Sequence, residues 1–275
     1  MNVVKIMGGV GNQLFQYAFG KVLEKTGKEV AFDVSWGDTK TCKDPSAPRP
    51  IRLPMFQVTN LKTSLFLEEN PTINEANVGY DLGLFNMKNS NNFEGYWQYY
   101  PYYKAILPIL KNEFQLRTEV YSDKFLEYAE MIWKTDSISL HVRRGDYQKH
   151  RRSMFRDLTA PYYFEALSKV KDVKGNLFVF SDDLPWCKET FKQEFFSRKI
   201  IFVDIEDYLA FELMRFCKHN VITNSTFSWW AAWLNDNSDK IVVCPNRYLC
   251  DSEEISNKRR HPQEWIKVND HATHW

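Results

Sequence analysis

The sequence predicts an α/β protein made of two units, each built on a parallel sheet. Three observations carry that expectation. Residues 1–33 read as strand, helix, strand. From residue 136 onward, strand-like apolar runs alternate with helical segments, which implies a parallel sheet with helices on both faces. The length, 275 residues, suits one large or two modest domains at roughly 150 residues each.

Taken in order, residues 3–7 are a short apolar run that ends in Gly8-Gly9-Val10-Gly11. Leu14, Ala18 and Val22 then recur every four residues beside Phe15, Phe19 and Leu23, a helical stripe that Gly27 stops. A second strand is expected over 29–33. Residues 34–56 hold Pro45, Pro48, Pro50 and Pro54 and read as a long loop. Helices are expected over 104–114 and 123–133, with the aromatic cluster Gly95-Tyr96-Trp97-Gln98-Tyr99-Tyr100 before them. Strands follow over 137–142, 176–180, 200–203, 220–223 and 241–244, with helices over 162–171, 205–217 and 227–235. The expected boundary lies near residue 135, giving an N-terminal domain 1–135 and a C-terminal domain 136–275.

Composition excludes several classes. The formal net charge is +1, too little for a surface that tracks a nucleic-acid backbone. No apolar run approaches the roughly 20 residues that span a bilayer, and the N-terminus does not read as a signal peptide. The expected location is cytoplasmic, with peripheral membrane contact left open. Cys42, Cys187, Cys217, Cys244 and Cys250 are scattered, without a C-x-x-C pair, and read as reduced thiols. The chain is rich in aromatics, with 20 Phe, 14 Tyr and 9 Trp. Most of these are expected in the core, with a minority free to stack on a base or a sugar.

Four segments share one design, an apolar strand followed at once by glycine or polar residues. In open α/β sheets, ligands bind outside the carboxyl ends of the strands. The first segment is Gly8-Gly9-Val10-Gly11-Asn12-Gln13, where glycines admit a close ligand and a helix N-terminus follows. It also imitates part of a dinucleotide fingerprint through Gly9, Gly11 and Asp33, although Leu14 takes the third glycine position. The second is His141-Val142-Arg143-Arg144-Gly145-Asp146-Tyr147. A guanidinium there can meet a phosphate bidentately, and two adjacent arginines in extended chain diverge. A surface ion-pair cluster of Arg143, Arg144 and Asp146 is the competing reading.

The third segment is Phe180-Ser181-Asp182-Asp183. Its carboxylate can accept two N–H bonds from a flat partner or cap the helix that starts near Pro185. The fourth is Thr223-Asn224-Ser225-Thr226-Phe227-Ser228-Trp229-Trp230. Asn224 or Ser225 can cap a helix whose N-terminus suits a phosphate, and Trp229, Trp230 and Trp233 are expected in the core. No phosphate-binding P-loop, Asp-x-Asp triplet or H-E-x-x-H motif occurs, so no metal is expected. A pyrophosphate would then be neutralised by arginine and helix N-termini.

Together, the segments Gly8–Ala18, 141–147, 180–183 and 224–230 resemble the bacterial α-1,2-fucosyltransferases of glycosyltransferase family 11. The Gly95-Tyr96-Trp97-Gln98 segment also looks like that family. The resemblance implies a GT-B fold, two Rossmann-like domains facing a central cleft, with the donor on the second. It implies inverting, metal-independent transfer of L-fucose from GDP-β-L-fucose to the 2-hydroxyl of a terminal galactose in a glycan. No cofactor is implied beyond that donor substrate. By resemblance, Arg143 holds the β-phosphate, and His141 and Asp182, beside Ser181, contact the guanine. Ser225, Thr226 and Phe227 line the phosphates. Gly9, Gly11 and Asn12 form the opposite wall, with Asn12 near the reacting sugar. Asp146 is a candidate base or a partner that orients Arg143. Two other readings stay open: a dinucleotide-dependent oxidoreductase, from Gly9, Gly11 and Asp33, and a non-catalytic carbohydrate-binding protein, from the aromatic excess.

Overall fold

The structure, a computed structural model, describes residues 1–37, 49–145, 158–248 and 260–270. The chain divides into two units, Met1–Arg117 and Thr118–Trp275. The division precedes the residue-135 boundary read from the sequence. The helix Asp123–Trp133 belongs with the second unit because its Phe125 and Trp133 rings meet Phe216 at 6.1 and 5.3 Å.

The first unit contains β1 (Asn2–Lys5), α1 (Val10–Lys25), β2 (Val30–Asp33), β3 (Thr72–Asn74), α2 (Glu75–Val78), β4 (Asn92–Glu94) and α3 (Leu107–Glu113). Its four strands run parallel in the order β2-β1-β4-β3. The expected β-α-β start is present. The helix expected over 104–114 opens as a 3-10 turn, Lys104–Ile106, because Pro108 suits the first turn of an α-helix and not its interior.

Strands β3 and β4 give no apolar run in the sequence. They are three residues long, and Asn92 of β4 is buried for a local reason. Its side-chain amide accepts from Leu67 N at 3.1 Å and donates to Leu67 O at 2.8 Å, standing in for a neighbouring strand. The core of this unit is aromatic. Phe19 stacks on Trp97 at 4.3 Å, and Tyr17 on Phe32 at 5.1 Å. Trp97, Tyr100, Tyr102 and Tyr103 are all buried. The aromatic cluster over 95–103 is therefore mostly core; Tyr96 is exposed and Tyr99 half-buried.

The second unit contains α4 (Asp123–Trp133), β5 (Ile138–Val142), α5 (Ala160–Ser168), β6 (Leu177–Ser181), α6 (Leu184–Thr190), β7 (Ile200–Val203), α7 (Asp207–Phe216), β8 (His219–Val221), α8 (Thr226–Leu234), β9 (Val242–Pro245) and β10 (Ile266–Val268). The six strands run parallel in the order β10-β9-β8-β5-β6-β7. Counted from β5, that is the 3-2-1-4-5-6 order of a doubly wound nucleotide-binding sheet. Strand β10 was not expected, since Ile266 and Lys267 are exposed and give no apolar signal.

The central strands are buried on both faces: Ile138, Leu140, Val142, Leu177, Val179 and Val221 line one, and Ser139, His141, Phe178, Phe180 and Asn220 the other. Trp229, Trp230 and Trp233 are buried and in mutual ring contact, as expected for core. Cys187, Cys217 and Cys244 are buried free thiols; Cys42 and Cys250 lie outside the described residues. Among the described residues, no helix is long and apolar enough to cross a membrane.

Candidate functional site

The strand order of the second sheet reverses direction between β5 and β8. At such a switch point the connections leave toward opposite faces, and a crevice opens at the carboxyl ends of the two strands. Two of the predicted segments stand there. His141 and Val142 end β5, with Arg143 and Arg144 following. Thr223, Asn224 and Ser225 follow β8 and lead into α8. The structure brings them together: the His141 and Phe227 rings lie 5.6 Å apart.

The third segment follows β6, which pairs with β5 in register from Ile138 to Val142. Arg143 Nη1 meets Asp182 Oδ2 at 3.1 Å. Arg144 turns away, as two neighbours in extended chain must. Its Nε donates to Asp183 Oδ2 at 3.1 Å, and its guanidinium lies 4.0 Å over the Trp186 ring. The carboxylate roles are divided differently from the sequence reading. Asp183 is the helix cap, accepting from Trp186 N at 3.2 Å, while Ser181 Oγ accepts from Asp183 N at 2.9 Å. Asp182 does accept two N–H bonds, but from the backbone of Arg144 and Gly145, at 2.9 and 3.1 Å. One carboxylate thus fixes both the Arg143 guanidinium and the turn behind it. Asp146, read as a base or as the partner of Arg143, lies outside the described residues.

His141 is buried, and burial, with the Arg143 charge as a smaller cause, pushes its pKa down to about 3. The ring is neutral at pH 7, and its buried Nδ1 has no hydrogen-bond partner among the described residues. On the other side of the switch, Ser225 caps α8 by accepting from Phe227 N at 3.4 Å. Asn224 does not cap: it is fully buried, accepts from Thr223 Oγ1 at 3.1 Å and donates to Tyr248 O at 3.1 Å. It ties the β8–α8 turn to the chain leaving β9. Thr226 and Phe227 are half-buried at the positive end of the helix.

The glycine-rich segment stands at the carboxyl edge of the first sheet. Gly8 has φ 79°, and a Cβ there would lie 2.6 Å from Asn12 Nδ2, so only glycine fits. Gly9 has ordinary extended backbone and is the N-cap of α1; its carbonyl accepts from Asn12 N and Gln13 N. Gly11 is buried in the first turn of the helix. Asn12 Oδ1 accepts from Gln98 Nε2 at 3.0 Å. Gln13 donates to Gly8 O and Pro50 O and accepts from Arg52 N. Asp33, the acidic residue of the dinucleotide reading, is buried and accepts from Ser35 N within its own turn.

The sequence reading missed the pairing roles of Gln13, Gln16, Asp183, Trp186 and Gln98. One signal was available. Gln13 and Gln16 interrupt an apolar helix on its buried side, and a buried amide needs partners.

The sequence model of glycosyl transferase family 11 matches residues 68–269. An alpha-1,2-colitosyltransferase of Escherichia coli is 29% identical over 97% of this chain and 98% of its own length. The O-antigen biosynthesis glycosyltransferase WbnK of Escherichia coli is 28% identical over 89% of this chain and 93% of its own. In fold, the chain is similar to the crystal structure of the fucosyltransferase NodZ from Bradyrhizobium. The TM-score is 0.50 and the identity 13%, over 84% of this chain and 92% of that one. The two parallel-sheet units are of the GT-B type, and the chain belongs to glycosyl transferase family 11.

Proposed function

We propose that this fucosyltransferase-like glycosyltransferase moves L-fucose from GDP-β-L-fucose to the 2-hydroxyl of a terminal galactose, with inversion and without a divalent metal. The observation that carries the proposal is Arg143, held by Asp182 at the switch point between β5 and the N-terminus of α8. In the reaction, the acceptor oxygen attacks the anomeric carbon from the face opposite the nucleotide. The bond from that carbon to the β-phosphate oxygen breaks, and its electron pair leaves on GDP. The acceptor proton passes to a base.

Negative charge therefore grows on the β-phosphate. A fixed guanidinium and helix N–H groups stabilise that charge without reorganising, because the fold has already oriented them. On this reading Arg143 holds the β-phosphate, and Ser225, Thr226 and Phe227 serve the phosphates. The neutral His141 ring and Asp182 serve the guanine, beside Ser181. Asp182 also orients Arg143. Gly9, Gly11 and Asn12 are proposed donor-binding residues, with Asn12 beside the transferred sugar. Asp146 remains the proposed base or a second orienting carboxylate.

The similarity to the colitosyltransferase supports a second reading in which colitose is the transferred sugar. The test is release of GDP from GDP-fucose with lactose as acceptor and a chelator present, and assignment of the product linkage by NMR. Turnover that survives the chelator and gives an α-1,2 product is expected. Turnover only with a colitosyl donor transfers the proposal to that sugar. Absence of turnover with every galactoside, or strict dependence on added metal, overturns it. Calorimetry separates the remaining alternatives: tight GDP binding is expected, whereas NAD binding favours the oxidoreductase, and glycan binding indifferent to GDP favours the binding protein.

A further inference from the structure

The segment Gly95-Tyr96-Trp97-Gln98 follows β4 at the carboxyl edge of the first sheet, and the function above gives it no task. Among the described residues, Trp97 is the one non-glycine residue with positive φ, at 53°. A bulky residue keeps a left-handed backbone only where its surroundings over-determine it, and such strain gathers at functional sites.

Here the surroundings are explicit. The Trp97 ring is fully buried and stacked on Phe19 at 4.3 Å. Its carbonyl accepts from Tyr103 Oη and from Tyr99 N. One residue earlier, Tyr96 N donates to Glu75 Oε2 at 2.6 Å. Before that, Gly95 O accepts from the buried Gln16 Nε2 at 3.0 Å, and a Cβ on Gly95 would overlap Glu75.

What this braced turn delivers is Gln98, whose Nε2 donates to Asn12 Oδ1 at 3.0 Å. The two ends of an amide are not equivalent. A donor held against Oδ1 decides which way the Asn12 side chain lies, and so presents Nδ2 as its outgoing donor. Gly8 leaves room for that nitrogen, which lies 2.6 Å from where a Cβ would be.

We infer that Gln98 is a positioning residue for glycosyl transfer. It orients the Asn12 amide so that Nδ2 can donate to an oxygen of the reacting sugar, and the left-handed turn at Trp97 sets that orientation. The inference rests on the reading above in which Asn12 acts beside the transferred sugar.

The test is a double-mutant cycle on the full chain, with kcat and KM for GDP-fucose and lactose. The variants are Asn12→Ala, Gln98→Met, Gln98→Ala and Asn12→Ala combined with Gln98→Met. The methionine keeps the length of the side chain and removes the donor, and a melting curve checks the fold of each variant. Asn12→Ala is expected to lower kcat about 100-fold, and either Gln98 variant about 10-fold, with KM changed less than about threefold. The double variant is expected to be no slower than Asn12→Ala alone, because Gln98 acts through Asn12. Losses that multiply in the double variant overturn the inference. Gln98 variants within about twofold of wild type in kcat also overturn it, and both outcomes leave the role of Asn12 standing. If Asn12→Ala itself is fully active, the reading beneath the inference fails, and the inference with it.

Discussion

At the carboxyl edge of the second sheet, Arg143 and Arg144 meet Asp182 and Asp183, each pair at 3.1 Å. At the carboxyl edge of the first, the turn before α1 and the helix's opening residues are held largely by amides. Gln98 donates to Asn12, Gln13 to Gly8 and Pro50, and Gln16 to Gly95. On the proposed function, the difference matches two tasks. Hydrogen bonds between ions are roughly twice as strong as neutral ones, and a fixed cation answers a charge that grows during reaction. Neutral amides contribute little field, but they fix direction, and direction is what a reacting group needs when its partner is a neutral sugar.

The largest expected effect breaks the charged edge. Arg143→Ala should lower kcat about 100- to 1000-fold, as loss of one preorganised donor does; activity within a few-fold of wild type would remove the phosphate role. Asp182→Asn keeps the size of the side chain but removes its charge and one acceptor. The bonds Asp182 accepts from Arg144 N and Gly145 N are exposed, so this variant should lose no more than about 1 kcal/mol of stability, and turn over more slowly than wild type, though faster than Arg143→Ala. Equal rates for Asp182→Asn and wild type would show that Arg143 needs no orienting carboxylate.

Acid sharpens the comparison because every histidine of the chain lies in the second unit. Burial pushes His141 and His261 down to about 3 and lowers His219. The unfolded chain therefore binds protons near pH 6.5 that the folded chain refuses. The resulting stability is complete above that pH and is lost as pH falls toward 3. Between pH 6.5 and 5, each of the two deeply buried rings should cost about 2 kcal/mol. Hydrogen exchange read by mass spectrometry should show second-unit peptides losing protection over that range while first-unit peptides keep theirs. Equal loss in both units would contradict it.

The amide edge should be broken most simply at its turn. Gly8→Ala forces φ 79° on a residue with a Cβ and drives that carbon toward Asn12 Nδ2. About 1–2 kcal/mol of stability should be lost, together with turnover, because the displaced group is Asn12. The smallest effect belongs to Arg144→Ala. Its pair with Asp183 and its contact with Trp186 are half-buried and face away from Arg143. It should cost no more than about 1 kcal/mol in a denaturant titration and leave kcat within a few-fold.

The regular part of the fold was legible because its signals are local. The apolar runs of β5, β6 and β7 and the stripe of α1 follow from burial, and the limits of the three strands fall within a residue of the expected ones. Strands β3, β4 and β10 were not legible. Three residues carry no period, and Asn92 looks polar until Leu67 is seen beside it. The compact units divide before the expected residue-135 boundary, and the packing that joins α4 to the second unit, the rings of Phe125 and Trp133 against Phe216 included, is between segments far apart in the chain.

For the site, the sequence by itself determined the inventory: a glycine turn, an arginine pair, a carboxylate pair and a capped helix, each just past a strand. These are properties of short stretches of chain. Only the tertiary structure decided which group faces which. That Asp182 holds Arg143, that Asp183 and not Asp182 caps α6, and that Gln98 reaches Asn12 depend on strands brought side by side by the fold. A residue type states which bonds a side chain can make. The partner is set by which distant segment the fold places within about 3 Å.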